Sequence, residues 1–410
     1  MKLEGIKVVD LSWFLPGPYL TTALADHGAT VIKVEPPGEG DPGRHIRPPD
    51  QRTSVFFRNM ARGKKSVVLD LKSEQGRADL FRLACEADVI VESFRPGVSA
   101  RFGIAYEAVK AKNPGIVYCS ISAFGQDGAY PGRAAHDLAL EAMTGVLSLT
   151  LGDDGRPAIP GIPVADLVSG LHGLSGVLMA LLRRETTGKG DYIDVSMHET
   201  LMASCANVVG SAFNENKQPD VKNQRTTGGS AFYRVYDTAD GRQLVLAGQE
   251  MKFIRNLLGA LGKPEMAPIC EWPGAHQKPV MDFLEATFKS KPLAHWMEFL
   301  ATLDICYGPV NTLPEALVDA NLVKRNFIVK DGMGRLHFAP AVRFKDEPST
   351  PLYREPLLGE HTEEILQRGP RSFMKAEPTP SPAAPARRSA AGSWPAPPTA
   401  LRQATAGPAG

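Results

Sequence analysis

Asp166 is the residue of this chain best placed to do chemistry. It stands in PGIPVADLVSG, at the start of a long apolar stretch, with Gly161, Ser169 and Gly170 close by. A carboxylate can attack an activated acyl group and hold it as a mixed anhydride. Small neighbours let a substrate come near. The plainer reading is a helix N-cap, worth about 1 kcal/mol. His136, in RAAHDLALEAMTG, is either a structural histidine or a proton shuttle, since imidazole titrates near neutrality. Asp137 beside it can cap the same helix. Glu250, in LAGQEMKFIRNLLGALG, falls between a strand and a helix, where its charge suits the helix dipole. Gly228 and Gly229, in RTTGGSAFY, form a turn or set backbone close to a ligand. Arg62, Lys64, Lys65, Lys72, Arg95 and Arg101 flank successive strand ends. Open α/β sheets collect ligands at carboxyl strand ends, and a polyphosphate suits such a set.

These residues need a frame. Short β-branched runs at 6–11, 30–37, 65–71, 88–93 and 115–122 read as strands. Between them lie helical patterns, one from Pro16 to the Gly28 stop and one at 73–87 begun by a serine cap. Strand–helix–strand order implies right-handed crossovers and a mostly parallel sheet covered by helices. Residues 167–184 predict a buried, small-residue-rich helix with TTGKGD as its exit turn. YIDVSM follows as a strand and HETLMASCANVVG as a helix. The polar stretch from 210 to 228 reads as a linker. Residues 232–247 predict a hairpin around Asp240-Gly241. Helical patterns run from Lys252 to about Leu317 and suggest a smaller second domain, and residues 338–350 return to the first. From about Glu377 the chain is Pro/Ala-rich and is expected to be disordered.

Composition narrows the function. The 410 residues are 43% hydrophobic, enough for a large core. Lys+Arg is 46 and Asp+Glu 45, a net charge of +1, which argues against nucleic-acid or membrane-surface partners. No run of about 18 apolar residues and no secretory leader stands out. Five cysteines lie far apart with no CxxC pair, so neither a disulfide framework nor a metal site is expected, and a reduced cytoplasmic compartment fits. No GxGxxG follows the first strand, and a phosphate loop, HExxH and GxSxG are absent, which argues against the usual dehydrogenase, kinase, zinc-protease and serine-hydrolase readings.

An ordered set of segments resembles the class III CoA-transferase family, the group of carnitine-CoA, formyl-CoA and bile-acid CoA transferases and 2-methylacyl-CoA racemases. The set runs through GIKVVDLSWFLPGPYLTTALADHGATVIKVEPP, RGKKSVVLDLKSEQGRADL, ADVIVESFRPGVSARFGI and NPGIVYCSISAFGQDG. It continues through AAHDLALEAMTG, TGKGDYIDVSMHET, YDTADGRQLVLAG and CYGPVNTLPEAL, spanning most of residues 4–320. The resemblance implies an α/β chain with a Rossmann-like large domain over 1–210, completed by about 330–375. It also implies a smaller α+β domain over 225–330 and two interlocked subunits in a homodimer. Coenzyme A is expected as a thioester substrate rather than a permanent cofactor. Its contacts would come from Val68, Leu69, Asp70, Leu71 and Lys72, from Glu92, Ser93 and Phe94, from Arg101, and from Ala135, Asp137, Leu138, Ala139 and Leu140.

By the same resemblance Asp166 attacks the donor thioester, and CoA passes to a carboxylic acid acceptor through an acyl-aspartyl anhydride and an aspartyl-CoA thioester. A Gly-loop amide, at Gly228 or Gly229, would stabilise the oxyanion. The alternative is racemisation of a 2-methylacyl-CoA, with His136 and Asp166 as the two bases and Glu250 assisting the histidine. GGSAFY is racemase-like, whereas GPVN at 308–311 and the long 38–60 segment are transferase-like. Leu15 stands where oxalate-type transferases carry glutamine, which counts against oxalate or formate. A non-catalytic CoA-binding protein would need Asp166 to be only a cap.

Overall fold

The computed structural model describes residues 1–50, 53–152 and 154–367. The Pro/Ala-rich stretch lies outside the described residues. Six strands form one parallel sheet: β1 (Lys7–Asp10), β2 (Thr30–Glu35), β3 (Lys65–Val68), β4 (Val89–Glu92), β5 (Val117–Ser122) and β6 (Tyr192–Ser196). The sheet order is β3-β2-β1-β4-β5-β6. This is the doubly wound order, in which the chain reverses direction across the sheet between β1 and β4. The strands are rich in buried β-branched residues on both faces because helices cover both sides of the sheet. Val8, Val31, Val89, Val91 and Val117 are buried almost completely.

Four helices matter for the site: α1 (Pro16–Asp26), α2 (Glu74–Glu86), α3 (Asp137–Met143) and α4 (Val164–Thr187), with α5 (Met197–Ala203) following β6. Ser73 caps α2 by accepting the Gly76 amide at 3.0 Å, as its sequence predicts. Helix α4 extends beyond the expected 167–184 at both ends, and Gly188 stops it at φ 66°. Its 24 residues include a window of mean hydropathy 1.5, long and apolar enough by composition to cross a bilayer. That corrects the expectation that no such run exists. The helix packs on α1 and β5 and contributes Ala165, Val177 and Leu181 to the core under the sheet.

A chain of buried charges ties β1 to the loop after it. Lys64 Nζ donates to Asp10 Oδ2 at 3.0 Å and to Thr21 Oγ1 at 2.7 Å. Lys33 Nζ donates to the Ser12 carbonyl at 2.9 Å and pairs with Asp41 at 2.6 Å. Burial pushes the Asp10 carboxyl upward, but Lys64 and Lys33 outweigh it and hold the group at about 2. Removing one partner of a buried pair strands the other. Lys64→Met is therefore expected to cost about 3–5 kcal/mol, read as a lower midpoint in urea unfolding.

A second core lies in the chain after residue 230. The predicted hairpin is present as β7 (Tyr233–Asp237) and β8 (Gln243–Ala247), antiparallel. A third strand, β9 (Tyr307–Pro309), pairs with β8 inside the stretch read as helical. Helices α6 (Met251–Ala260), α7 (Lys278–Phe288) and α8 (Leu293–Leu300) pack Ile254, Leu284, Phe288 and Trp296 against this sheet. The presumed linker contains a short helix, Gly210–Glu215. Beyond β10 (Ile328–Lys330) and β11 (Leu336–Phe338) the chain does return: Glu347 pairs with Lys2 at 2.8 Å, and His361 N donates to the Ser66 carbonyl of β3 at 2.9 Å.

Candidate active site

A cavity of about 760 Å³ opens at the carboxyl ends of the parallel strands. Turns following β1 to β5 supply its wall: Trp13 and Phe14 after β1, Pro36 and Pro37 after β2, Leu69 to Lys72 after β3, Ser93 to Pro96 after β4, and Ala123 to Gly125 after β5. It therefore lies across the switch point where ligands of such sheets bind. Asp166 and His136 line the same cavity.

Asp166 is not a cap. The N-cap of α4 is Pro163, so Asp166 is the third helical residue, with its side chain in the cavity. Its carboxyl is pushed up to about 7, first by burial and then by the charge of Asp137. Asp137 Oδ1 accepts the Asp166 amide at 3.2 Å, so helix α3 caps α4 from outside. The approach of α1 to α4 fixes the depth of Asp166. A Cβ on Gly170 would lie 2.7 Å from the Pro16 carbonyl oxygen, and one on Gly173 would lie 2.8 Å from Leu20 Cδ1. This is why the segment is rich in small residues. His136 is exposed, N-caps α3 without a side-chain cap bond, and meets the Phe14 ring edge-on at 6.2 Å.

The expected CoA contacts divide. Leu69, Asp70, Leu71, Lys72, Ser93, Phe94 and Ala135 line the cavity. Val68 faces the returning C-terminal chain, its amide donating to Thr362 Oγ1 at 2.9 Å. Glu92 is buried beneath the β4 turn, where Oε2 accepts the Phe94 amide at 2.6 Å and shapes the wall from below. Burial pushes it up to about 7. Leu140 belongs to the core. Arg101, Asp137, Leu138 and Ala139 do not line the cavity, and neither do Glu250, Gly228 or Gly229. Glu250 is exposed at the N-cap of α6. Gly229 is packed against its own chain, where a Cβ would lie 2.2 Å from the Asn223 carbonyl carbon.

The basic set is corrected in part. Lys72 and Arg95 line the cavity. Arg62 is buried against Asp26, Lys64 against Asp10, and Lys65 opens β3 at its amino end, paired with Glu364. Arg133 lines the cavity instead, its guanidinium 5.5 Å from the Tyr130 ring centre. Trp13, Phe14, Tyr130 and Arg133 carried no periodic signal, because they sit in turns.

A carboxylate part-way out of water, in an apolar cavity rimmed by lysine and arginine, suits acyl transfer from a polyphosphate-bearing thioester. Comparison with known proteins agrees. The family model for CoA-transferase family III matches residues 3–362. Succinyl-CoA:glutarate CoA-transferase of Mus musculus is 33% identical over 376 residues, covering 89% of this chain and 86% of its own. Alpha-methylacyl-CoA racemase of Homo sapiens is 34% identical over 376 residues, covering 90% and 93%. A crystal structure of a CAIB/BAIF family protein from Brucella suis superposes with a TM-score of 0.76 at 31% identity, covering 89% of this chain and 98% of that one. With its strand order, its cavity and a family match over residues 3–362 of its 410, this chain belongs to CoA-transferase family III.

Proposed function

We propose that the protein moves CoA from an acyl-CoA donor to a carboxylic acid acceptor, with Asp166 as nucleophile. The carrying observation is that Asp166, part-way out of water, lines the same cavity as the turns that carry Lys72 and Arg95. An Asp166 oxygen attacks the thioester carbonyl, the C–S bond breaks, and CoA thiolate leaves. The thiolate then attacks the Asp166 carbonyl of the anhydride, releasing the donor acid and leaving an aspartyl-CoA thioester. An acceptor carboxylate repeats the exchange, the returning thiolate takes its acyl group, and Asp166 is regenerated. Each hard step becomes two activated ones. Lys72 and Arg95 are proposed to hold CoA phosphates at the mouth.

We also propose a homodimer. Leu171, Leu178, Met179 and Leu182 of α4 leave large apolar side chains exposed along one helix, and large exposed apolar patches mark interaction sites. A CoA-binding domain over 1–210 and a smaller one over 225–330 are part of the proposal, supported by two separate hydrophobic cores.

Racemisation is the second reading, favoured by His136 lining the same cavity as Asp166. Incubation with a 2-methylacyl-CoA in deuterated water separates the two. CoA transfer predicts new acyl-CoA only when an acceptor acid is added, and no deuterium at the α-carbon. Deuterium uptake without acceptor, abolished in His136→Ala, would establish the racemase instead.

A further inference from the structure

Two carboxyl groups of α3 sit beneath the first turn of α4. Asp137 and Glu141 are four residues apart and so share one face of their helix. Asp137 Oδ1 accepts the Asp166 amide at 3.2 Å, and Glu141 Oε1 accepts the Val164 amide at 3.4 Å. Both amides belong to the first turn, where helices leave donors unpaired, and Pro163 supplies no side-chain cap. Glu141 is fully buried, and its Oε2 finds no hydrogen-bond donor. Its side chain meets that of Asp137.

Two ionised carboxylates in contact repel, and an unpartnered buried carboxylate oxygen is costly. One proton on Oε2 removes both penalties. We propose that Glu141 is a positioning residue for the reacting carboxylate: a neutral carboxylic acid that donates from Oε2 to Asp137 and so holds Asp137 against the Asp166 amide. The pair then carries one negative charge beside Asp166, not two. Burial first, and Asp137 second, raise the proton affinity of Glu141, in the direction required. The helices packed on α3 bring Asp166 and His172 from the first half of α4, and His198 and Glu199 from α5 (Met197–Ala203). Asp137 is the charge that acts on Glu141. The inference rests on the reading of Asp166 as the reacting group.

Infrared difference spectra of the full-length protein, wild type against Glu141→Gln at neutral pH, test the protonation state. The expected result is a protonated-carboxyl C=O band in the wild type that moves in deuterated water and is missing in the variant. Loss of carboxylate bands instead overturns the proposal. Turnover gives the positioning readout. Gln offers an acceptor and a donor in the same places, whereas Leu offers neither. Glu141→Leu is expected to lower kcat about tenfold below Glu141→Gln, with KM for acyl-CoA within about twofold. Equal kcat in the two folded variants overturns the positioning role, and the infrared arm decides alone should Leu not fold. If Asp166→Asn stays active, the reading of Asp166 fails while the Glu141 band stands, so the two failures are distinguishable.

Discussion

Asp166→Asn is expected to lower kcat for CoA transfer by about 10⁴-fold or more, while acyl-CoA binds within about threefold of wild type. Asparagine keeps the shape and removes the nucleophile, because an amide oxygen will not form the anhydride. Binding survives because the proposed CoA contacts, Lys72, Ser93, Phe94 and Arg95, are on the turns after β3 and β4 and not on α4. Product formation gives the rate, and calorimetric titration with a slowly reacting acyl-CoA gives the affinity. Wild type mixed with acyl-CoA and quenched should yield an acyl or CoA adduct on the peptide that contains Asp166, and the variant should yield none. An Asp166→Asn enzyme retaining more than about 1% of kcat would remove the nucleophile from the mechanism.

How far the chain could be read in advance depended on the kind of signal. Val8-Val9, Val31-Ile32 and Val89-Ile90-Val91 announce buried strands because both faces of a parallel sheet are covered, and β-branched runs survive there. Their alternation with helices implies parallel pairing, but the order across the sheet is decided by which edges meet. Strand β9 escaped because three residues, Tyr307 to Pro309, carry no alternation and are strand only because β8 offers an edge. The site divides in the same way. Asp166 was visible as a carboxylate at a helix start, but the sequence could not separate cap from nucleophile. That choice depends on Asp137 capping α4 from another helix. Charge was the least legible feature. Lys64 and Lys72 are both lysines near strand ends, yet one is sealed against Asp10 and the other faces the cavity. Glu141 looked like one more polar position in ALEAM, and only its burial marks it.

The elevated proton affinity of Asp166 makes a prediction with opposite signs for activity and stability. The folded carboxyl titrates at about 7 against 3.8 for the ordinary group, raised by burial and then by Asp137. The nucleophile must be ionised, so kcat/KM is expected to approach a tenfold fall per pH unit below 6 and to drop about 50-fold between pH 7 and 5. Stability runs the other way. The folded state binds the proton more tightly than the unfolded chain, so folding is favoured at low pH and loses free energy as pH rises from about 4 to 7. A shift of this size, discounted for the solvent that reaches Asp166, is worth about 1–2 kcal/mol. Asp166→Asn removes that cost, and is expected to be more stable than wild type at pH 8 by about 1–2 kcal/mol and equal to it near pH 4. Chemical unfolding of both proteins at the two pH values reads the difference directly. An acid limb centred near 4, with no pH-dependent gain in the asparagine variant, would mean that water reaches the Asp166 carboxylate in the free enzyme and that burial does not raise its proton affinity.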